Sequence, residues 1–590
     1  MTGAAVAPGA TTAPAPVGAI ASSVAAASPV APCAGAPAVE GGPGAGPGGA
    51  SLIHEAVARH AALTPDAVAL VDGARRVGYA ELDAAADAWA AELSALGAGP
   101  GGFVPVVLPR SATLVAALLG VLKTGAAYAA LDPGWPVERL RAVTGMLAPR
   151  VTVAPDAAGD REPWHGPLCA PSPGGLGPRS AAPAPGRPRP VPAPRPPVDG
   201  SCPATVFFTS GTTGRPKAVV SGHRATLSLF DGRFAPFTAD GLRGPVMPQA
   251  APVSWDGFTL ETWGPLINGG TSVLLDSGYL LPGTLRALVE REGVDTVWLT
   301  ASLFHLFVDE DPGCFAGLRH VLTGGERLSV PRVRAFLDRH PDVVLTNGYG
   351  PVEACVFATA RRVGRADCDV PSGIPVGEPV PGRRVHILAP GHRPAAPGAT
   401  GEICVSGDGI ALGYLGDAEL TARVFPTVTV DGVPTRLYRT GDLGFQDGDG
   451  VVHFTGRADR QVKVRGHRVE PEEVEVVVRA LPGVADCAVV PVPGANGGYE
   501  RLALFFTQGP ADEPLPPAAV RRELAARLPR HLVPDLVRRR ADLPLTVHGK
   551  LDRPALLRTL RPPAGVTEAD APAPAGAGSP ARPARPGADA

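Results

Sequence analysis

From Ser51 onward, apolar and polar positions alternate between two periods. In SLIHEAVARHAALTP the apolar residues recur at three- and four-residue spacing and stop at a proline, which predicts a helix. VALVDG and FVPVVLP are short β-rich runs, and YAELDAAADAWAAELSALG between them has helical spacing. A further helix precedes LKTGAAYAALDP, and ATVFFTS reads as a strand. Past Gly456 the order becomes strand, helix (EEVEVVVRALPG), strand (ADCAVVPVP), strand (RLALFFTQ), helix (AAVRRELAARLP). Strands interleaved with helices predict an α/β protein, the last hundred or so patterned residues forming a second, smaller α/β domain.

Two stretches break the pattern. Residues 1–50 are Ala, Pro and Gly with Glu40 as the only charged side chain, which predicts a disordered leader without the basic start of a signal peptide. Residues 170–200, with PAPGRPRPVPAPRPP, read as a Pro-rich flexible loop that forms no packed element. The expected organisation is a leader over 1–50, a core over 51–458, a small domain over 459–562 and a disordered tail over 563–590.

Composition narrows the class. At 590 residues the chain exceeds the size at which one core stops growing, so two or more domains are expected. A net charge of −2 gives no basic face for nucleic acid, and no apolar run is long enough to predict a membrane span. The eight cysteines are scattered without a C-x-x-C pair or zinc spacing, which fits small apolar residues in a cytoplasmic protein. Lysine occurs four times against fifty arginines. A lysine retained in such a composition points to sites that need a compact, flexible point charge. Lys217, Lys463 and Lys550 each lie in a glycine-bearing motif, whereas Lys123 reads as a surface residue.

The strongest local signal is FFTSGTTGRPKAVV, residues 207–220. A strand feeds a loop carrying Thr209, Ser210, Gly211, Thr212, Thr213 and Gly214, and Lys217 follows. Backbone N–H groups, hydroxyls and one ammonium suit a nucleotide's β and γ phosphates. The loop departs from a Walker motif, because Pro216 precedes the lysine and Ala218 follows it.

At this string the chain resembles the adenylate-forming enzymes, and in particular the amino-acid adenylation domains of nonribosomal peptide synthetases. The resemblance runs from about residue 51 to about 560, through LKTGAAYAALDP, NGYGPVEA (347–354), GEICVSGDGIALGYL (401–415), YRTGDL (438–443), GRADRQVKVRGHRVEPEEVE (456–475), LPRHLVP and HGKLDR (548–553). It implies a large N-terminal adenylate-forming domain with several β-sheets flanked by helices, plus a small mobile C-terminal α/β domain. ATP and Mg²⁺ are the implied cofactors. Tyr349 would stack on adenine beside Gly325 and Glu326 of the TGGE loop, Glu353 would hold Mg²⁺, and Asp442 with Arg457 would take the ribose. Asp459 falls at the family's hinge position. Lys550 resembles the lysine that bridges the substrate carboxylate and the α-phosphate, and Lys463 one presented for thioester formation. One departure stands out: Val352 occupies a position where the family usually has Thr, removing a hydroxyl near the adenylate phosphate.

The same resemblance assigns an acid pocket to Asp256, Gly257, Leu260, Trp298, Leu322, Gly324, Gly348, Val356 and Phe357. Asp256 would pair the ammonium of an α-amino acid. The remaining wall reads as apolar, with no partner for a polar side chain, so a small branched aliphatic amino acid fits, valine first, with isoleucine or 2-aminobutyrate close behind. The expected reaction is formation of aminoacyl-AMP, followed by loading of a phosphopantetheinylated carrier protein in natural-product biosynthesis. No Gly-Gly-x-Ser motif follows residue 562 and no HH-x-x-x-D-G motif precedes the core, which reads as a free-standing enzyme acting on its carrier in trans. A small accessory protein is a further candidate partner. The rival readings are an acyl- or aryl-CoA ligase of the same superfamily, against which Asp256 argues, and a nucleotide-binding scaffold that has lost catalysis.

Overall fold

A computed structural model of the chain describes residues 51–155, 164–179, 198–211, 216–230, 234, 237, 244–275, 279–494, 498–509, 514–544 and 551–560. The expected leader and tail, most of the Pro-rich stretch, Thr212, Thr213, Gly214 and Lys550 lie outside the described residues. The chain forms two compact units. Asp459 is the last residue of the first, while the second begins at Arg460 and also takes in Ser210 and Gly211.

The first unit is built on four sheets among the described residues. In the largest, the interior strand Pro203–Thr209 is flanked by Lys217–Gly222 on one side and Ala127–Ala130 on the other. The helix Ala112–Lys123 is buried on almost every side, because ATLVAALLGVLK offers no polar face before its final lysine. Its start is fixed by Ser111, whose Oγ accepts the Leu114 N–H at 3.2 Å. Lys123 is no plain surface residue: its ammonium lies 2.7 Å from Asp83 and 2.6 Å from Asp87.

Part of the expected Pro-rich loop is packed rather than flexible. Pro171 and Pro178 form an isolated bridge, and Leu176 is buried in the core. The Leu176 carbonyl accepts the Trp89 indole N–H at 2.7 Å. A fully buried tryptophan needs an acceptor, and this turn supplies it.

The second sheet pairs Thr296–Thr300, His320–Gly324 and Val344–Tyr349 in parallel, then adds Thr359–Arg362 and Glu378–Pro379 antiparallel. Strand periodicity sorts its residues between two cores. Val297, Leu299, Val321 and Leu345 join Phe304, Phe315 and Phe336. Trp298 and Leu322 face the other way, into the core that holds Leu260, Val356 and Phe357. Ligands of such sheets collect at the carboxyl ends of the parallel strands, where Thr300, Gly324 and Gly348 stand side by side.

The YRTGDL motif lies inside the 14-residue strand Val433–Gln446. Pairing with Val452–Arg457 sets Asp442 opposite Arg457. The second unit is a five-stranded sheet in which Val484–Pro493 pairs with Tyr499–Gln508. Its alternate residues feed two cores: Cys487, Val489, Leu502 and Leu504 pack with residues of Pro471–Arg479 and Pro517–Arg527, while Ala488, Val490, Ala503 and Phe505 pack with Leu556. Among the described residues, no helix is long and apolar enough to cross a membrane.

Candidate active site

Four of the sequence-nominated residues form one chain of charge-assisted hydrogen bonds in the first unit. The Tyr349 hydroxyl donates to Asp442 Oδ2 at 2.5 Å. Asp442 Oδ1 accepts from Arg457 Nη1, and Arg457 also binds both oxygens of Asp459, Nε to Oδ1 at 2.7 Å and Nη2 to Oδ2 at 2.8 Å. Strand register makes this possible, since Asp442 and Arg457 are direct neighbours across the ladder. Each carboxylate oxygen has a second lone-pair site, so Asp442 can still accept from a ligand's hydroxyls. Burial first, and the Asp442 charge second, push the Tyr349 phenol well above its ordinary pKa, so it stays a donor.

The phosphate loop is framed by strand ends. Thr209 closes one strand, Lys217 opens the next, and the two stand opposite each other in register. Among the described residues, the buried Thr209 hydroxyl meets no hydrogen-bond partner, and neither does that of Thr323 in the TGGE loop. Orphaned buried hydroxyls are costly, and a bound polar ligand is one way to satisfy them. Gly325 takes a left-handed φ of 83°, and Glu326 accepts from the Ser302 hydroxyl.

Glu353 sits fully buried on the short helical turn Val352–Ala354 that follows the strand ending at Tyr349. Its Oε1 accepts from the Tyr414 hydroxyl at 2.8 Å. No group of three potential ligands for a metal ion occurs among the described residues. A lone carboxylate fits Mg²⁺, which typically keeps its waters and the triphosphate oxygens as its other ligands. Val352 is buried, packed with Tyr349 and Phe207.

The residues that the resemblance assigns to an acid pocket gather around the sheet's carboxyl end. Asp256 is 6% exposed, directly precedes the helix Gly257–Ile267, and makes no capping bond to it. The Phe357 ring lies 5.3 Å from that of Trp298, edge to face, and Trp298 lies 6.4 Å from Trp255. Two glycines are sterically required. A Cβ on Gly324 would fall 1.9 Å from the Gly348 carbonyl oxygen, and one on Gly348 would fall 2.3 Å from the Phe357 ring. The wall is not wholly apolar: the Trp298 indole N–H is buried without a partner among the described residues. Cys355 and Val356 both adopt left-handed φ, 53° and 69°, which is rare for a β-branched residue and costly.

The sequence pattern of the AMP-binding enzymes matches residues 57–415, and that of the AMP-binding enzyme C-terminal domain matches residues 473–550. The chain belongs to the AMP-binding enzymes. Its relatives make it an adenylation domain of the nonribosomal-peptide-synthetase type. One of the linear gramicidin synthase proteins of Brevibacillus parabrevis is 35% identical over 85% of this chain, and the dimodular nonribosomal peptide synthase of Bacillus subtilis is 34% identical over 84%. The chain spans only 6% and 21% of those two proteins. Among solved structures, holo-PA1221, described as a nonribosomal peptide synthetase protein containing adenylation and carrier domains, is similar with a TM-score of 0.75 and 34% identity, covering 87% of this chain and 84% of that one. The amide bond synthetase McbA of Marinactinospora thermotolerans has a TM-score of 0.73 at 26% identity, covering 86% of this chain and 99% of that one.

Within this adenylation domain, two residues that sequence reasoning passed over hold the site in shape. Arg383 is 5% exposed and donates to the carbonyls of Ala225, Ala354 and Cys355 and to the Ser228 hydroxyl, bracing the left-handed turn. Tyr414 holds Glu353. Tyr414 lies inside the GEICVSGDGIALGYL motif, so its presence was visible although its partner was not. Lys463 stands on the strand Val462–Val464 of the second unit, opposite Arg468.

Proposed function

We propose that this adenylation domain activates a small α-amino acid with ATP, forming aminoacyl-AMP and releasing pyrophosphate, and then passes the aminoacyl group to the phosphopantetheine thiol of a carrier protein. In the first step a carboxylate oxygen of the amino acid bonds to the α-phosphorus as the bond to pyrophosphate breaks. In the second, the thiol sulfur bonds to the acyl carbon, AMP leaves, and the thiol proton is released.

Each part has an assigned holder. Thr209, Ser210, Gly211, Thr212, Thr213, Gly214 and Lys217 cradle the phosphates. Tyr349 flanks adenine beside Gly325 and Glu326, and Asp442 and Arg457 take the ribose. Glu353 would hold Mg²⁺, which would supply neutralisation of the triphosphate charge when bound with the nucleotide. Lys550 stabilises the charge that builds between carboxylate and α-phosphate, and Lys463 serves the thioester step, with Asp459 as the hinge between the two uses.

The observation that carries the amino-acid reading is Asp256, a buried carboxylate at the head of a helix beside the pocket aromatics. A carboxylate in that place is a natural counterion for a substrate ammonium. The glycines and the Trp298–Phe357 pair favour a short branched side chain, valine first, with isoleucine and 2-aminobutyrate behind it. The unpaired Trp298 N–H favours a second reading, a side chain of the same size that carries an acceptor, such as threonine.

Amino-acid-dependent exchange of pyrophosphate into ATP over the proteinogenic amino acids, aryl acids and fatty acids tests this. Stimulation by valine or threonine, with loading of a separately supplied phosphopantetheinylated carrier, is the expected result. Stimulation by aryl or fatty acids with CoA as the preferred acceptor would replace it.

A further inference from the structure

Glu353 is fixed from two directions by one short stretch of chain. Its backbone carbonyl accepts the Ala411 N–H at 2.8 Å, and its Oε1 accepts the Tyr414 hydroxyl at 2.8 Å. Both donors come from the segment that ends in Gly413–Tyr414, a two-residue strand at the edge of the largest sheet.

Tyr414 itself has little freedom. It pairs with Val219 on the strand that Lys217 opens, so the phosphate-side lysine and the Glu353 partner are anchored to the same ladder. Its ring is 6% exposed and meets Phe425 edge to face at 5.7 Å. Its N–H donates to Thr421 Oγ1 at 3.0 Å, and the preceding Gly413, at φ 147°, lets Thr421 come so close that a Cβ would lie 2.6 Å from its methyl group. A hydroxyl on so rigid a ring sets the rotation of the carboxylate it touches. Such outer hydrogen bonds orient a ligand's lone pairs toward its metal, and their loss typically weakens metal binding by about 10- to 100-fold.

We infer that Tyr414 is a positioning residue for the metal ligand Glu353: it turns the carboxylate toward the nucleotide-bound divalent cation and ties that orientation to the strand that begins with Lys217. This rests on the reading of Glu353 as the ligand. The hydroxyl is the part that acts, since the ring's packing would be kept by phenylalanine.

The test uses the full chain and Tyr414→Phe, Glu353→Gln and the double variant. Binding of Mn²⁺ in the presence of α,β-methylene-ATP is followed by the loss of the free-ion electron paramagnetic resonance signal, and the Mg²⁺ dependence of pyrophosphate exchange is measured alongside. Thermal unfolding confirms that each variant is folded. Tyr414→Phe is expected to weaken Mn²⁺ binding and raise the half-saturating Mg²⁺ concentration by about tenfold or more, while the KM for the amino acid stays at the parental value. In the Glu353→Gln background the tyrosine substitution should add no further shift. Parental Mn²⁺ affinity in Tyr414→Phe, with Glu353→Gln impaired, overturns the inference and leaves the ligand reading standing. Parental affinity in Glu353→Gln overturns the ligand reading, and the inference with it. An equal added shift in the double variant also overturns it, because the tyrosine would then act elsewhere.

Discussion

Tyr349 and Asp442 come from motifs 93 residues apart, yet their side chains share one short hydrogen bond. The tyrosine therefore does more than offer a ring face: it holds one carboxylate oxygen while Arg457 holds the other. Hydrogen bonds to charged groups contribute about 1.5–3 kcal/mol. Tyr349→Phe is accordingly expected to raise the KM for ATP by about tenfold or more, with the amino-acid KM unchanged, as read from pyrophosphate exchange. An unchanged KM for ATP would mean that Arg457 alone sets the carboxylate. Lys550→Ala tests the other end of the reaction. Stabilising charge in a transition state typically accounts for about 10²- to 10³-fold in rate per donor, so adenylation should fall by that factor while thermal unfolding stays parental. Parental adenylation by this variant would remove Lys550 from the mechanism.

At the scale of elements, most of the site is a property of strand ends. The alternation in TVWLT and HVLTG is enough to put Trp298 and Leu322 on one face of their sheet, because successive side chains must oppose each other. A Thr-Gly-Asp triplet favours a turn by local preference, yet long-range pairing builds a strand through it, with Gly441 at φ 73°. The turn at Cys355–Val356 was not legible at all. Local preference opposes left-handed backbone at a β-branched residue, and what holds it there is a guanidinium from Arg383, 28 residues on from Cys355. The Trp298 N–H was equally hidden, because a tryptophan in sequence shows its bulk and not whether its donor finds an acceptor. Arg383→Met keeps the length and removes the donors: the Ala354 carbonyl loses its guanidinium partner, while the Cys355 and Ala225 carbonyls keep the Phe357 N–H and the Ser228 hydroxyl. A buried group left without its partner costs about 1–3 kcal/mol. The expected outcome is a drop in unfolding free energy of about 1–3 kcal/mol, together with relaxed selection between valine and smaller amino acids. Parental stability in chemical denaturation would show that the turn holds without its brace.

Over the whole molecule, acid sensitivity follows from histidines buried in the neutral form. Burial lowers His223 to about 3, with the facing His54 adding to the effect, and lowers His305 to about 4. Each is therefore below the 6.5 of an unfolded histidine. Their contribution to stability is present above pH 6.5 and is lost as the pH falls toward the folded values, since the unfolded chain then binds protons that the folded chain refuses. Glu261 acts in the opposite sense. Burial raises it from 4.5 to about 7, so its contribution is full below 4.5 and is lost as the pH rises through 7. In the window where these shifts overlap, roughly pH 4.5 to 6.5, His54, itself lowered by burial to about 4, joins His223 and His305 against one glutamate, and the lowered His60 and His386 act in the same direction. The surplus corresponds to about 3 kcal/mol of lost stability per pH unit on acidification. His223 accepts the Ile53 N–H through Nδ1, a bond that a glutamine carbonyl can also accept. Urea unfolding of the parental chain at pH 7.5, 6.0 and 5.0, followed by a probe in the first unit because two units need not unfold together, should show that decline. His223→Gln should flatten it by about 1.4 kcal/mol per pH unit. A variant with the parental slope would place the acid sensitivity on other groups, His305 first among them.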